Sequence, residues 1–156
     1  MDQCNTNQEE GEIVTTFGQS FRIEQKISET MMTTSNYINN KYTLEIKSKN
    51  RMMTFTSWED VWDLCLSIDE FFNIPNAEDC FLGKKEVTFY PLMNQHIPKN
   101  DVVPKRIVIE YNFSKREILI GNYFTKEIIE VTLNELKKIN RLIKKISESY
   151  IVCDKN

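Results

Sequence analysis

Two amphipathic stripes with matching start signals constrain this 156-residue chain more than any other feature. Trp58, Val61, Trp62, Cys65, Ile68 and Phe72 recur at three- and four-residue steps, and so do Leu136, Ile139, Ile143, Ile146 and Tyr150. Each stripe predicts a helix with one buried face. Thr56-Ser57-Trp58-Glu59 and Thr132-Leu133-Asn134-Glu135 both fit a capping box, in which a hydroxyl and a carboxylate satisfy the orphan amides of a helix start. The two boxes lie 76 residues apart.

Short apolar or alternating runs rich in Tyr, Ile, Val, Thr and Phe precede each helix, as strands do. Ser20–Ser28, Tyr42–Lys47 and Met52–Phe55 come before the first. Val87–Tyr90, Arg106–Tyr111, Glu117–Ile120 with an extension to Phe124, and Glu127–Val131 come before the second. Ser48-Lys49-Asn50 and Asn112–Lys115 read as hairpin turns. The pattern is a weak internal repeat. It predicts an α+β protein of two antiparallel strand-meander-plus-helix halves, residues 12–74 and 84–151, with the helices packed on each other or on a second copy. A polar, acidic stretch, 1–11, is expected to be disordered, and 73–83 and 94–104 read as irregular loops.

No run of apolar residues is long enough for a membrane span, and the start lacks the basic and apolar regions of a signal peptide. Cys4, Cys65, Cys80 and Cys153 are scattered without a CxxC pair. They read as reduced thiols of an intracellular protein, nuclear or cytoplasmic, with Cys65 as core filler. Net charge is −3, but residues 1–80 carry −8 and residues 81–156 carry +5. Such a split points either to an anionic partner at the basic end or to halves that attract each other.

Catalytic signatures are missing: no GxSxG, Walker loop, GxGxxG or HExxH occurs, and the single histidine, His96, sits in a Pro-flanked loop. Glu59/Asp60 and Asp69/Glu70 read as solvated helix carboxylates, the first pair favoured by the dipole. The expectation is a protein with no catalytic residue, no metal and no cofactor. Lys137, Lys138, Arg141, Lys144 and Lys145 form a charged helical face of the kind solvation explains. In the strand region, however, Lys105, Arg106, Lys115, Arg116 and Lys126 interleave with Tyr111, Phe113, Tyr123 and Phe124. Cations beside rings make the usual surface for a single nucleic-acid strand, phosphates on the charges and bases on the rings. Tyr111 and Tyr123 suit core and surface equally; Phe113, in a turn, suits the surface.

The segment 106–146, RIVIEYNFSKREILIGNYFTKEIIEVTLNELKKINRLIKKI, resembles the positive-cofactor-four family of transcription coactivators, related to the Whirly fold. The likeness lies in a strand, a turn with an aromatic and lysines (NFSKRE), an apolar strand ending in paired aromatics (GNYF), and a short strand leading into a hydroxyl-capped helix. It covers about forty residues. The resemblance implies a curved antiparallel sheet followed by a helix, dimerisation through helices, and binding of single-stranded DNA. By position Lys115 resembles the family's turn lysine, Phe124 its strand-end aromatic and Phe113 its turn aromatic. Gly121 departs from the pattern, standing where the family tends to place an arginine, and the loop before the last strand is short. The first half shares the outline and few of the residues, so one chain would imitate the dimer.

These readings lead to a non-enzymatic single-stranded DNA- or RNA-binding protein serving transcription or replication. It would be a homodimer or a pseudo-dimeric monomer, with Leu136, Ile139, Ile143 and Ile146 at the helix interface. The rival is a protein-binding adaptor using the acidic half, with Trp58 and Trp62 as anchors.

Overall fold

The computed structural model of the chain describes residues 11–81, 106–112 and 114–148. A five-stranded antiparallel meander comes first: β1 (Glu12–Phe17), β2 (Ser20–Ser28), β3 (Met31–Ile38), β4 (Lys41–Ser48) and β5 (Arg51–Phe55), in spatial order β1-β2-β3-β4-β5. Helices α1 (Trp58–Phe72) and α2 (Ala77–Phe81) follow. A three-stranded sheet, β6 (Ile107–Asn112), β7 (Glu117–Asn122) and β8 (Glu127–Val131), then leads into α3 (Leu133–Ile146). The protein is therefore α+β, as expected, with its two long helices packed together. The expected strand at Val87–Tyr90, residue Phe113 and nearly all of the 1–11 stretch lie outside the described residues.

Tight turns set the first meander. Asn39 and Asn40 both take left-handed backbone (φ 54° and 62°), the requirement of a two-residue turn whose twist matches the strands it joins. Alternation then puts Phe21, Ile23, Leu44, Ile46, Met53 and Phe55 on one face, all buried. β3 is the exception, since Thr33 and Ser35 are buried there with no exposed surface. Thr33 Oγ1 donates to the carbonyl of Gln25 at 3.4 Å and Ser35 accepts from the Tyr42 hydroxyl at 3.1 Å, which offsets the cost of burying them.

The helix starts differ by one residue from the sequence reading at α1 and agree at α3. Ser57, rather than Thr56, caps α1, accepting from the amide of Asp60. Thr132 and Glu135 form the full capping box of α3, at 2.8 and 3.1 Å.

The halves are not independent. One core joins the inward faces of both sheets to α1 and α3, and Leu136, Ile139, Ile143 and Ile146 all lie in it. α1 crosses to the later sheet, where the Ser67 hydroxyl donates to the carbonyl of Ile107 at 3.2 Å. α3 crosses to the first sheet, where Lys138 donates to the carbonyl of Ile27 at 3.1 Å and Glu135 accepts from Ser28. Between the helices Asn140 Nδ2 donates to the Cys65 carbonyl and to Asp69 Oδ1, both at 3.2 Å.

Charge follows the same seam. Asp60–Arg106 (3.1 Å), Asp69–Lys144 (3.0 Å), Glu78–Lys137 (2.9 Å) and Glu12–Lys145 (2.8 Å) each pair an acid of the first half with a base of the second. The opposite charges of the halves thus attract each other across one interface, and much of the α3 lysine face is a set of cross-links, not a solvated stripe. Exposed pairs such as Asp69–Lys144 are worth roughly 0–1 kcal/mol. The Glu12 side chain, by contrast, is 0% exposed and needs its partner.

A single core makes two predictions. Ile139→Ala should cost about 3 kcal/mol through lost burial and the cavity left behind. In urea, the fluorescence of Trp58 and Trp62, in the first half, should then shift together with the far-UV circular dichroism of the whole chain. Separate transitions would disprove the shared core.

Candidate nucleic-acid interface

The turn from β7 to β8 is held rigid from within. Asn122 is buried, and its Oδ1 accepts from the amides of Phe124 (3.0 Å) and Thr125 (3.2 Å), while its carbonyl accepts from the amide of Lys126 (2.8 Å). The amide of Tyr123 donates to the carbonyl of Arg106 at 2.7 Å, pinning the turn to the start of β6. Lys126 takes the left-handed conformation that closes the turn (φ 67°). This scaffold displays Phe124, 71% exposed, beside Tyr123, 49% exposed.

A cation stands over the exposed ring. The Arg106 guanidinium carbon lies 5.4 Å from the Phe124 centroid, within cation–π range. Its direction is set from behind by Asp60, 3.1 Å away in the first turn of α1. Arg106 is therefore shared between a carboxylate and a ring. The Tyr123 hydroxyl is tied to Glu110, and its pKa is raised, first by burial and then by the Glu110 charge. Gly121 lies under this ring: a Cβ added there would meet Tyr123 Cε1 at 3.6 Å.

The other predicted cations sit at the opposite end of β7. Lys115 and Arg116 are exposed in the β6–β7 turn, where Asn112 Oδ1 accepts from the Lys115 amide at 3.1 Å and Arg116 is left-handed (φ 53°). Six strand residues separate the two turns, or about 20 Å at 3.3 Å per residue. The predicted residues therefore form two groups, not one cluster. Between them the outward side of the sheet carries Leu119, flanked in register by Glu110 and Glu130, and Ile128. Among the described residues, Lys115, Arg116 and Lys126 have no carboxylate at ion-pair distance. Lys105 and Phe113 lie outside the described residues. Tyr111 takes the core side, edge-on to Phe71 at 5.1 Å, so it belongs to the interior and not to this surface.

Sequence reasoning missed the cations of the first sheet because it averaged them with the helices. All six bases of residues 1–80, Arg22, Lys26, Lys41, Lys47, Lys49 and Arg51, fall on the strands or turns of the five-stranded sheet. Seven of the 14 acids of that half lie on α1 and α2. A count by element instead of by half would have found the difference.

Among the described residues no group of His, Cys, Asp or Glu could hold a metal ion, and no helix is long and apolar enough to cross a membrane. Burial, and next the nearby Asp69 charge, push the Cys65 thiol up to about 11. At pH 8 the thiol of Cys65 is accordingly protonated and a poor nucleophile. Iodoacetamide at pH 8 should leave Cys65 unmodified in the native protein and alkylate it in urea, as read by peptide mass spectrometry; rapid native labelling would contradict its placement.

In comparisons with known proteins, no family model, no curated protein and no solved structure matches the chain.

Proposed function

We propose that this is a non-enzymatic, intracellular protein that binds single-stranded DNA or RNA in support of transcription or replication. The strand lies on the outward side of β7 and β8, between the two turns. One observation carries the reading: Phe124 is held 71% exposed on a turn braced by its own hydrogen bonds, with Arg106 over the ring and Lys126 two residues on. An apolar ring kept in water on a rigid support loses little entropy when a base stacks on it. Lys126 at one end, and Lys115 and Arg116 at the other, supply charge for phosphates, while Arg106, its charge balanced by Asp60, steadies the Phe124 ring. Glu110 and Glu130 keep the middle of the face unfavourable for phosphate, so the backbone anchors at the two ends and bases cover Leu119 and Ile128 between them.

The likeness of 106–146 to the positive-cofactor-four family supports this reading through the same order of strand, turn, strand, short strand and capped helix. On this view the first half is a diverged copy of the second, and α1 against α3 imitates a dimer of helices. Nuclear or cytoplasmic residence goes with such a role.

A protein-binding role is the second reading, and a different surface favours it. Trp58 and Trp62 are half-buried, stacked on each other at 5.9 Å, with Trp58 edge-on to Tyr42 at 5.1 Å, and so make poor anchors. Ile13 (60% exposed) and Phe17 (82%) stand outward on β1, an edge strand with no charge on its outward side.

Fluorescence anisotropy with a labelled oligonucleotide separates the two. Phe124→Ala should cost one stacked base, roughly 1–3 kcal/mol or about fivefold to 150-fold in affinity. Lys115→Glu with Arg116→Glu should weaken binding and flatten its salt dependence. Absence of salt-sensitive binding by the wild-type protein eliminates the nucleic-acid reading.

A further inference from the structure

The later sheet ends at β8, which lies against β5 of the first sheet. Its free edge meets the free edge of the first sheet, although the two share no backbone ladder. Side chains join them instead: Glu127 Oε1 accepts from the Thr54 amide at 3.1 Å, and Arg51 donates to the carbonyl of Ile128 at 3.4 Å. A cleft of about 440 Å³ lies at this junction, with Arg51 and Ile128 both in its lining. Its floor includes Leu119 and Ile128, and its far wall is the β4–β5 turn, with Lys49 and Arg51. Glu130 is the acid in the lining.

The β4–β5 turn presents its cations by construction. Lys49 is left-handed (φ 56°), and its amide donates to the carbonyl of Thr30 at 3.0 Å, which fixes the turn to the neighbouring β2–β3 hairpin. Lys47, one pleat back, faces outward between Met32 and Met52, both substantially exposed. Lys47, Lys49 and Arg51 are all exposed, and among the described residues none has a carboxylate at ion-pair distance. The cleft borders the middle of β7, at Leu119, and Lys115 and Arg116 precede the same strand in the β6–β7 turn, outside the lining.

We infer that the seam between β5 and β8 is the second contact site for the single strand, in which Lys49 and Arg51 of the acidic half hold phosphates while bases rest on Leu119 and Ile128. The inference rests on the nucleic-acid reading above and extends it. A strand leaving the Phe124 turn runs along β8 and enters the cleft, where Lys49 and Arg51 meet it from the first sheet. The acidity of the first half does not oppose this. Half of its acids lie on α1 and α2, where Asp60, Asp69 and Glu78 are engaged by bases of the second half. A nucleic-acid strand suits the seam because the exposed side chains offer both phosphate partners and apolar surface in one groove.

Oligonucleotide length separates this inference from the reading beneath it. A strand of about 4 nucleotides reaches only the Phe124 turn, and one of about 16 spans turn and seam. Lys49→Glu with Arg51→Glu should lower affinity for the longer strand about tenfold and reduce its salt slope, leaving the shorter one within about twofold. Phe124→Ala should weaken both. Lys41→Glu, exposed at the opposite end of β4, should change neither, and circular dichroism confirms that each variant folds. Wild-type affinity of the double variant for the longer strand, or equal loss for both lengths, overturns the seam site while the Phe124 site stands. If wild-type protein binds neither length, both fall together.

Discussion

The exchange of helices between the halves is the constraint on which the rest of the structure depends. Neither sheet is covered by its own helix alone: α1 reaches the later sheet through Ser67 and Ile107, and α3 reaches the first sheet through Glu135 and Lys138. A sheet with one apolar face must bury it against something, and here each half supplies part of the cover for the other. The Glu12–Lys145 pair shows how strict the arrangement is, since a carboxylate with no exposed surface is tolerable only while its cation stays in place. Any shift of α3 along the first sheet would strand that charge.

This exchange also decides which charges remain available. The bases of α3 that face the first half are committed to acids or to a carbonyl, so this face is not the solvated stripe that its sequence suggests. Several of the cations left outward lie on hairpin turns, at Lys49, Lys115, Arg116 and Lys126. Turns suit that purpose: they project side chains past the end of a sheet, and left-handed residues at Lys49, Arg116 and Lys126 fix their direction. Asn122 and Asp60 do the supporting work, one from inside the turn and one from the next helix.

Much of this was legible from residue patterns. Both helices announced themselves by stripe and cap, and the strands with apolar inward faces by alternation. β3 escaped because Thr33 and Ser35 point inward, so it lacks the apolar alternation of a strand, and their partners Gln25 and Tyr42 are not local. β1 escaped because Glu12 and Thr16 are its buried residues while Ile13 and Phe17 face water, an inversion of the usual order. The candidate interface was half visible. Composition pointed to the rings and cations near Phe124, but only the register showed that Lys115 and Arg116 stand at the other end of β7 and that Tyr111 turns inward. The basic rim of the first sheet was hidden by long-range pairing, for which a local pattern has no signal.

The helix that completes the first sheet is also the last described element of the chain. During synthesis α1 follows β5 directly and packs on β4 and β5, whereas β2, which α3 packs against, lacks that part of its cover until residue 146 has emerged. The part of the first sheet under α3 thus waits for about a hundred further residues, and loop closure of that span precedes the gain from packing. Its maturation is set by the arrival of its distant partner helix, and its nascent form depends on whatever shields an apolar sheet in the meantime.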